Sequence, residues 1–225
     1  MSAATKKPLL EVVQNPKLEA AYHFHTAMYL IERPDFIPAV NEVSEEQLEK
    51  FRVGELDERY PARSSNNYFW DERVQGFANF ITTTAWGILN EQGYAMQDRG
   101  VHFLEMWSQE HFKHSSTDAH VHSFGSQLTG FYFLEVPEKS SRIVFHDPRV
   151  GKVQIDLPER NYDAATAASR MINFPLRPGL MIFANAWLAH SFTPHAADEP
   201  LKFVHFNLGV HHNPNTSNAP AAEVV

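Results

Sequence analysis

Seven apolar positions, Val74, Phe77, Ala78, Ile81, Ala85, Ile88 and Leu89, recur at steps of three and four. That rhythm predicts one amphipathic helix from about Asp71 to Asn90, ended by Gly93. Upstream, Ser44-Glu-Glu-Gln47 has the form of a capping box, and Leu48 and Phe51 follow at helical spacing. The apolar and aromatic run Tyr22 to Ile31 reads as a strand that stops at Arg33-Pro34. From Gly54 to Asn67 the chain reads as a loop.

From Val101 the pattern changes to short apolar runs separated by turns. The runs are Val101 to Gln109, Gly130 to Val136, Arg142 to His146, Lys152 to Leu157, Ile172 to Leu176, Leu180 to Ala184, His190 to Pro194 and Leu201 to Val210. Asp147-Pro-Arg149 and Arg177-Pro-Gly179 are turn signals. Short strands at this spacing argue for an all-β sandwich or barrel. Pro158 to Arg170, polar and alanine-rich, is a surface loop or a short helix. The expected fold class is mainly β with flanking helices. Residues 1–95 form an N-terminal α/β extension packing helices on a barrel, 96–212 the β domain, and 213–225 a flexible tail.

With 225 residues there is material for one sizeable domain, or one domain with an extension. The net charge of −8 argues against a general nucleic-acid or anionic-membrane surface. The chain has no cysteine, which leaves His, Asp and Glu to hold any metal. The first residues lack the apolar core of a signal peptide and no run reaches membrane-span length, so a cytoplasmic protein is the expectation.

The candidate chemistry lies in the histidines. On a strand, His120 and His122 share a face, a geometry in which two imidazoles can hold one metal ion. Imidazole suits Zn, Cu, Fe and Ni, so spacing alone does not choose the metal. A second pair, His23 and His25, has no acidic or glycine-rich surroundings and reads as the polar side of an outer strand. In a double-stranded β-helix an early strand and the penultimate strand meet at the barrel mouth. A pair on the first and His190 on the second would then make one three-ligand site with open positions, catalytic in form.

Several motifs in order resemble one family from about Val101 to Asn207: Met106-Trp107, His120-Val-His122 followed by Thr129-Gly-Phe-Tyr-Phe133, Phe145-His-Asp-Pro-Arg149, Pro178-Gly-Leu-Met-Ile-Phe183, Trp187-Leu-Ala-His190, and Phe206-Asn207. These resemble the 2-oxoglutarate/Fe(II) oxygenases that carry His-x-His rather than His-x-Asp. The resemblance implies a double-stranded β-helix (a jelly-roll, cupin-like core), non-haem Fe(II), and 2-oxoglutarate as co-substrate. Carried over, His120, His122 and His190 would be the metal ligands, with Asp118 and Asp147 as carboxylate alternatives to His122. The family usually offers an arginine from its last strand to the distal carboxylate of 2-oxoglutarate. Aligned on Asn207, that position falls at Leu201, with Lys202 one step out of phase. Lys202, Arg142 and Arg149 are the candidate anchors, and a bulge near Pro200 would bring Lys202 into phase. Tyr132 and Ser126 are candidate hydrogen-bond donors to the co-substrate. His195, His205, Trp187 and Asp147 are candidates for the pocket or for support of the ligands.

The function implied is a 2-oxoglutarate-dependent hydroxylase acting on a small molecule or peptide, with a homodimer as a candidate assembly. Three histidines and the missing arginine keep a second reading open: a cupin-like metalloenzyme that does not use 2-oxoglutarate, such as a direct-binding dioxygenase, lyase or isomerase.

Overall fold

The computed structural model describes residue 19 and residues 24–213. Two antiparallel sheets face each other. The larger has six strands in the order β1 (Met28–Glu32), β8 (Leu180–Asn185), β5 (Ser126–Glu135), β10 (Leu201–His212), β3 (Arg99–His111) and β2 (Ala62–Ser64). The smaller has four, in the order β4 (Thr117–His120), β9 (His190–Phe192), β6 (Ile143–His146) and β7 (Met171–Asn173). Mainly β, with two α-helices among the described residues, this is the double-stranded β-helix that the family resemblance implies, within the sandwich or barrel class that the short apolar runs predict.

The large sheet is apolar on both faces, which is why its strands read as continuous hydrophobic runs rather than alternating ones. Its outer face carries Tyr132, Leu134, Met181, Phe183, Val204 and Phe206, which pack against α2 (Gln75–Glu91) through Phe77, Ile81, Ala85 and Ile88. Each large apolar side chain buried there contributes roughly 1.5–3 kcal/mol. Its inner face carries Phe131, Phe133, Ile182, Leu201 and Phe203, which meet Ile143, Phe145 and Phe192 of the small sheet. Gly130 fits where it does because the Phe206 ring lies over it. An added Cβ would stand 2.2 Å from that ring and 2.7 Å from the Ile182 carbonyl.

Several boundaries differ from the sequence expectation. The α2 helix is preceded by a 3-10 turn, Glu72–Val74, capped by the Asp71 carboxylate, which accepts the Arg73 N–H at 3.0 Å. The other helix, α1 (Ile37–Glu49), starts seven residues before the capping box, with Pro38 in its first turn. Ser44 is therefore mid-helix and fully buried, its hydroxyl bonded to Tyr68 Oη at 3.1 Å and Ser108 Oγ at 2.6 Å. Lys152 to Leu157 is not a strand: Val150–Gln154 is a 3-10 turn, drawn in by Lys152, which pairs with Asp147 at 3.0 Å. Pro158 to Arg170 forms no helix or strand. The N-terminal strand begins only at Met28. Tyr22 and His23 lie outside the described residues, as does the tail from residue 214, and His25 is in coil. Strand β2, inside the expected loop, is a three-residue edge paired to β3. No helix of the described residues is long and apolar enough to cross a membrane.

Candidate metal centre

The small sheet brings the histidines together. Strand β4 pairs with β9 so that His120 stands directly opposite His190. The strand ends there, and His122 lies two residues beyond it, held by its N–H to the Ala186 carbonyl at 2.9 Å. One nitrogen from each of His120, His122 and His190 lies within 4.8 Å of the other two.

The outer nitrogens fix which atoms face inward. His120 Nδ1 donates to the Asp118 carbonyl at 2.8 Å and His190 Nδ1 to the Leu188 carbonyl at 3.0 Å. A carbonyl only accepts, so both rings carry their proton on Nδ1 and turn an Nε2 lone pair into the site. His122 Nε2 lies 3.3 Å from His190 Nε2. Its Nδ1 faces the Asn207 carboxamide nitrogen at 3.2 Å, and that nitrogen also donates to Glu105 at 2.8 Å. The Glu105 carboxylate, acceptor only, dictates this amide orientation and leaves Asn207 Oδ1 buried without a partner. Burial pushes His190 down to about 3 and His122 to about 4, the latter helped by His120 and opposed by Glu105. Both rings are neutral near pH 7, the state a metal ligand needs.

A cavity of about 480 Å³ opens beside the site, lined by Tyr60, the segment from Ser64 to Asn67, Glu105, Trp107, Gln109, Thr117, Phe131, Phe192 and His205, together with His120 and His122. A second cavity of about 370 Å³ shares Glu105 and His122 with it and is bordered by Phe124, Ser126 and Asn207. Burial holds His205 well below its ordinary pKa, and its ring lies 4.7 Å from that of His122 and 4.5 Å from Trp107.

The other expected residues fall elsewhere. Lys202 points to the outer face of the sheet, ion-paired with Glu45 and with Glu135 at 2.6 Å, so it does not reach the site. The β5–β10 register shifts between Lys202 and Phe203, but Lys202 keeps its outward phase and Leu201 stays inward. Arg149 is tied to Asp147 at 2.8 Å and Arg142 is exposed; neither lines a cavity described here. Asp147, held far below the usual carboxylate range by Arg149, is occupied in that turn and is no ligand alternative. Asp118 contributes its carbonyl, not its carboxylate. Tyr132 Oη donates to the Arg33 carbonyl at 2.6 Å on the helix side. His195 is buried at the far end of the barrel, bonded to Ser141 N and the Glu199 carbonyl, and Trp187 is half exposed. Of the expected pocket residues, His205 and Ser126 line the cavities. Glu105, Gln109, Tyr60 and Thr117 were missed, because an isolated polar residue in an apolar strand or loop carries no motif.

Fold and site together define a double-stranded β-helix protein with a three-imidazole centre at the barrel mouth. A family model described as "Putative 2OG-Fe(II) oxygenase" matches residues 105–207, the segment that contains all three histidines and Asn207. Residues 105–207 thus resemble the 2OG-Fe(II) oxygenase family, in which the metal and co-substrate are Fe(II) and 2-oxoglutarate. Similar solved structures include a prolyl-4-hydroxylase from Pseudomonas putida, at 8% identity over 82% of this chain and 93% of that one, with TM-score 0.55. HygX from Streptomyces hygroscopicus, with nickel and 2-oxoglutarate bound, is 13% identical over 82% and 83%, with TM-score 0.52. The non-heme alpha-ketoglutarate-dependent epimerase SnoN of nogalamycin biosynthesis is 15% identical over 89% and 87%, with TM-score 0.51. At these identities the likeness is one of fold. A search of curated protein sequences gives no match.

Proposed function

We propose that His120, His122 and His190 hold Fe(II) through their Nε2 atoms and that the larger cavity takes 2-oxoglutarate and a polar small-molecule substrate. The observation that carries this reading is the convergence of three histidine nitrogens within 4.8 Å. The donor set suits a divalent transition metal: three nitrogen ligands, two of them with the tautomer already set. When bound, iron with 2-oxoglutarate and dioxygen supplies the oxidation of a substrate C–H bond to an alcohol, with succinate and CO2 as the other products.

The protein's share is positioning. His122 now accepts from Asn207 on Nδ1, so its Nε2 carries the proton and donates toward His190. Ligation through Nε2 needs the other tautomer. A half-turn of the Asn207 carboxamide would present Oδ1 to His122 Nδ1–H, giving a partner to an oxygen that has none. Glu105, which is exposed, would exchange its bond from the Asn207 amide for solvent as the amide turns. Three neutral imidazoles leave the dication's charge uncancelled, which favours an anionic co-substrate. Phe131 and Phe192 wall the cavity and limit water at its inner end.

One observation favours the second reading, a metalloenzyme without 2-oxoglutarate: among the described residues, no lysine or arginine lines either cavity at the site. Elemental analysis and anaerobic binding test both readings. His120→Ala, His122→Ala and His190→Ala should each lose stoichiometric iron while the far-ultraviolet circular dichroism stays that of the wild type. Full iron content in a variant removes that residue from the ligand set. An iron-loaded wild type that ignores 2-oxoglutarate would hand the case to the second reading.

A further inference from the structure

Among the described residues, no lysine or arginine lines the cavity to meet the second charge of a dicarboxylate. The family's arginine position, Leu201, and the next inward position of β10, Phe203, are both apolar and packed into the barrel core. The ladder between β10 and β3 sets His111 opposite Leu201 and Gln109 opposite Phe203. The polar chemistry missing from β10 therefore stands one strand over, at the same two levels. Gln109 lines the cavity, its Nε2 3.4 Å from Tyr60 Oη.

His111 supplies the second observation. It is 0% exposed, and both its ring nitrogens are buried with no hydrogen-bond partner. Its ring meets Phe192 at 5.0 Å and Phe203 at 5.1 Å, and Phe192 is a wall of the cavity. The hydroxyls of Ser115 and Ser141 are also buried and unpartnered, and both residues are joined through His195 by backbone N–H bonds. Buried polar atoms without partners mark places where a ligand or water completes the structure.

We propose that this chain receives the distal carboxylate of 2-oxoglutarate on β3 rather than β10, with Gln109 at the cavity wall and His111 at the adjoining buried level as hydrogen-bond donors in place of the family's arginine. This rests on the 2-oxoglutarate-dependent reading above. Gln109 needs no rearrangement, whereas contact with His111 requires the stacked rings of Phe192 and Phe203 to turn aside. Neutral donors lack the bidentate, charged fork of arginine, so the hold is weaker but still directional.

Calorimetric titration of the anaerobic Fe(II)-loaded protein with 2-oxoglutarate and with pyruvate isolates the distal end, because pyruvate keeps the 2-oxo acid and lacks the second carboxylate. Gln109→Leu and His111→Leu should each weaken 2-oxoglutarate about tenfold or more and leave pyruvate and iron content unchanged. Unchanged 2-oxoglutarate affinity in both variants overturns the proposal, as does an equal loss for both ligands. So does a selective loss in Arg142→Ala, Arg149→Ala or Lys202→Ala instead. Wild-type protein that binds 2-oxoglutarate no better than pyruvate has no distal anchor, and the proposal falls while the oxygenase reading stands. Wild-type protein that binds neither ligand removes both.

Discussion

For the single residue, burial rather than charge sets the state of the inner histidines. His111 is pushed down to about 4, first by desolvation and then by His195. An unfolded-state histidine titrates near 6.5. Between these values the unfolded chain binds a proton that the folded one refuses, so stability rises with pH across this window. Its contribution is present above about pH 6.5 and is lost as pH falls toward 4, at about 1.4 kcal/mol per pH unit and about 3 kcal/mol in all. Without co-substrate, the wild-type melting temperature should fall between pH 7 and pH 5, and His111→Leu should flatten that slope. Parallel pH profiles for the two proteins would show that His111 is not excluded from protonation in the fold.

Among the elements, what the sequence disclosed follows from how each one is held. The α2 helix and the strands β3, β5, β8 and β10 were legible because burial demands a long apolar pattern, and one-sided or two-sided burial leaves a different period. The start of α1 was not legible. Ser44 is in the core, bonded to Tyr68 and Ser108, and a buried hydroxyl imitates a cap in the sequence. Strand β2 escaped notice because three residues at a sheet edge carry no period at all. His120, His122 and His190 were singled out beforehand and the fold does gather them, whereas Lys202 faces the other way for the reason that phase gave: Leu201 is the inward position. Its ammonium instead ties β10 to Glu45 of α1 and to Glu135 of β5, and Glu45 in turn pairs with Arg52 at 2.7 Å. Lys202→Ala would remove a buried ammonium from between two carboxylates that are themselves partly open to solvent. It should cost about 1–3 kcal/mol in denaturant titration while 2-oxoglutarate affinity stays that of the wild type. A stability equal to the wild type would mean that the pairing contributes nothing.

Across the whole molecule, the two sheets are unequal. The large sheet is clamped on both faces by the two apolar clusters, whereas the small one has strands of three and four residues and a single packed face. Hydrogen exchange should therefore be slowest in β5, β8 and β10 and faster in β4 and β9. Iron should slow the amides of β4 and β9 selectively, and uniform slowing across both sheets would argue that the metal acts elsewhere.

The direct pairing of His120 with His190 also bears on how fast a metal leaves. Two of the three proposed ligands sit opposite each other on one short ladder, so their backbones cannot part without unzipping β4 from β9. With the two backbones held at a fixed spacing, an imidazole that lets go stays close to the ion, so rebinding of that ring would compete with escape and lengthen the residence time of the ion.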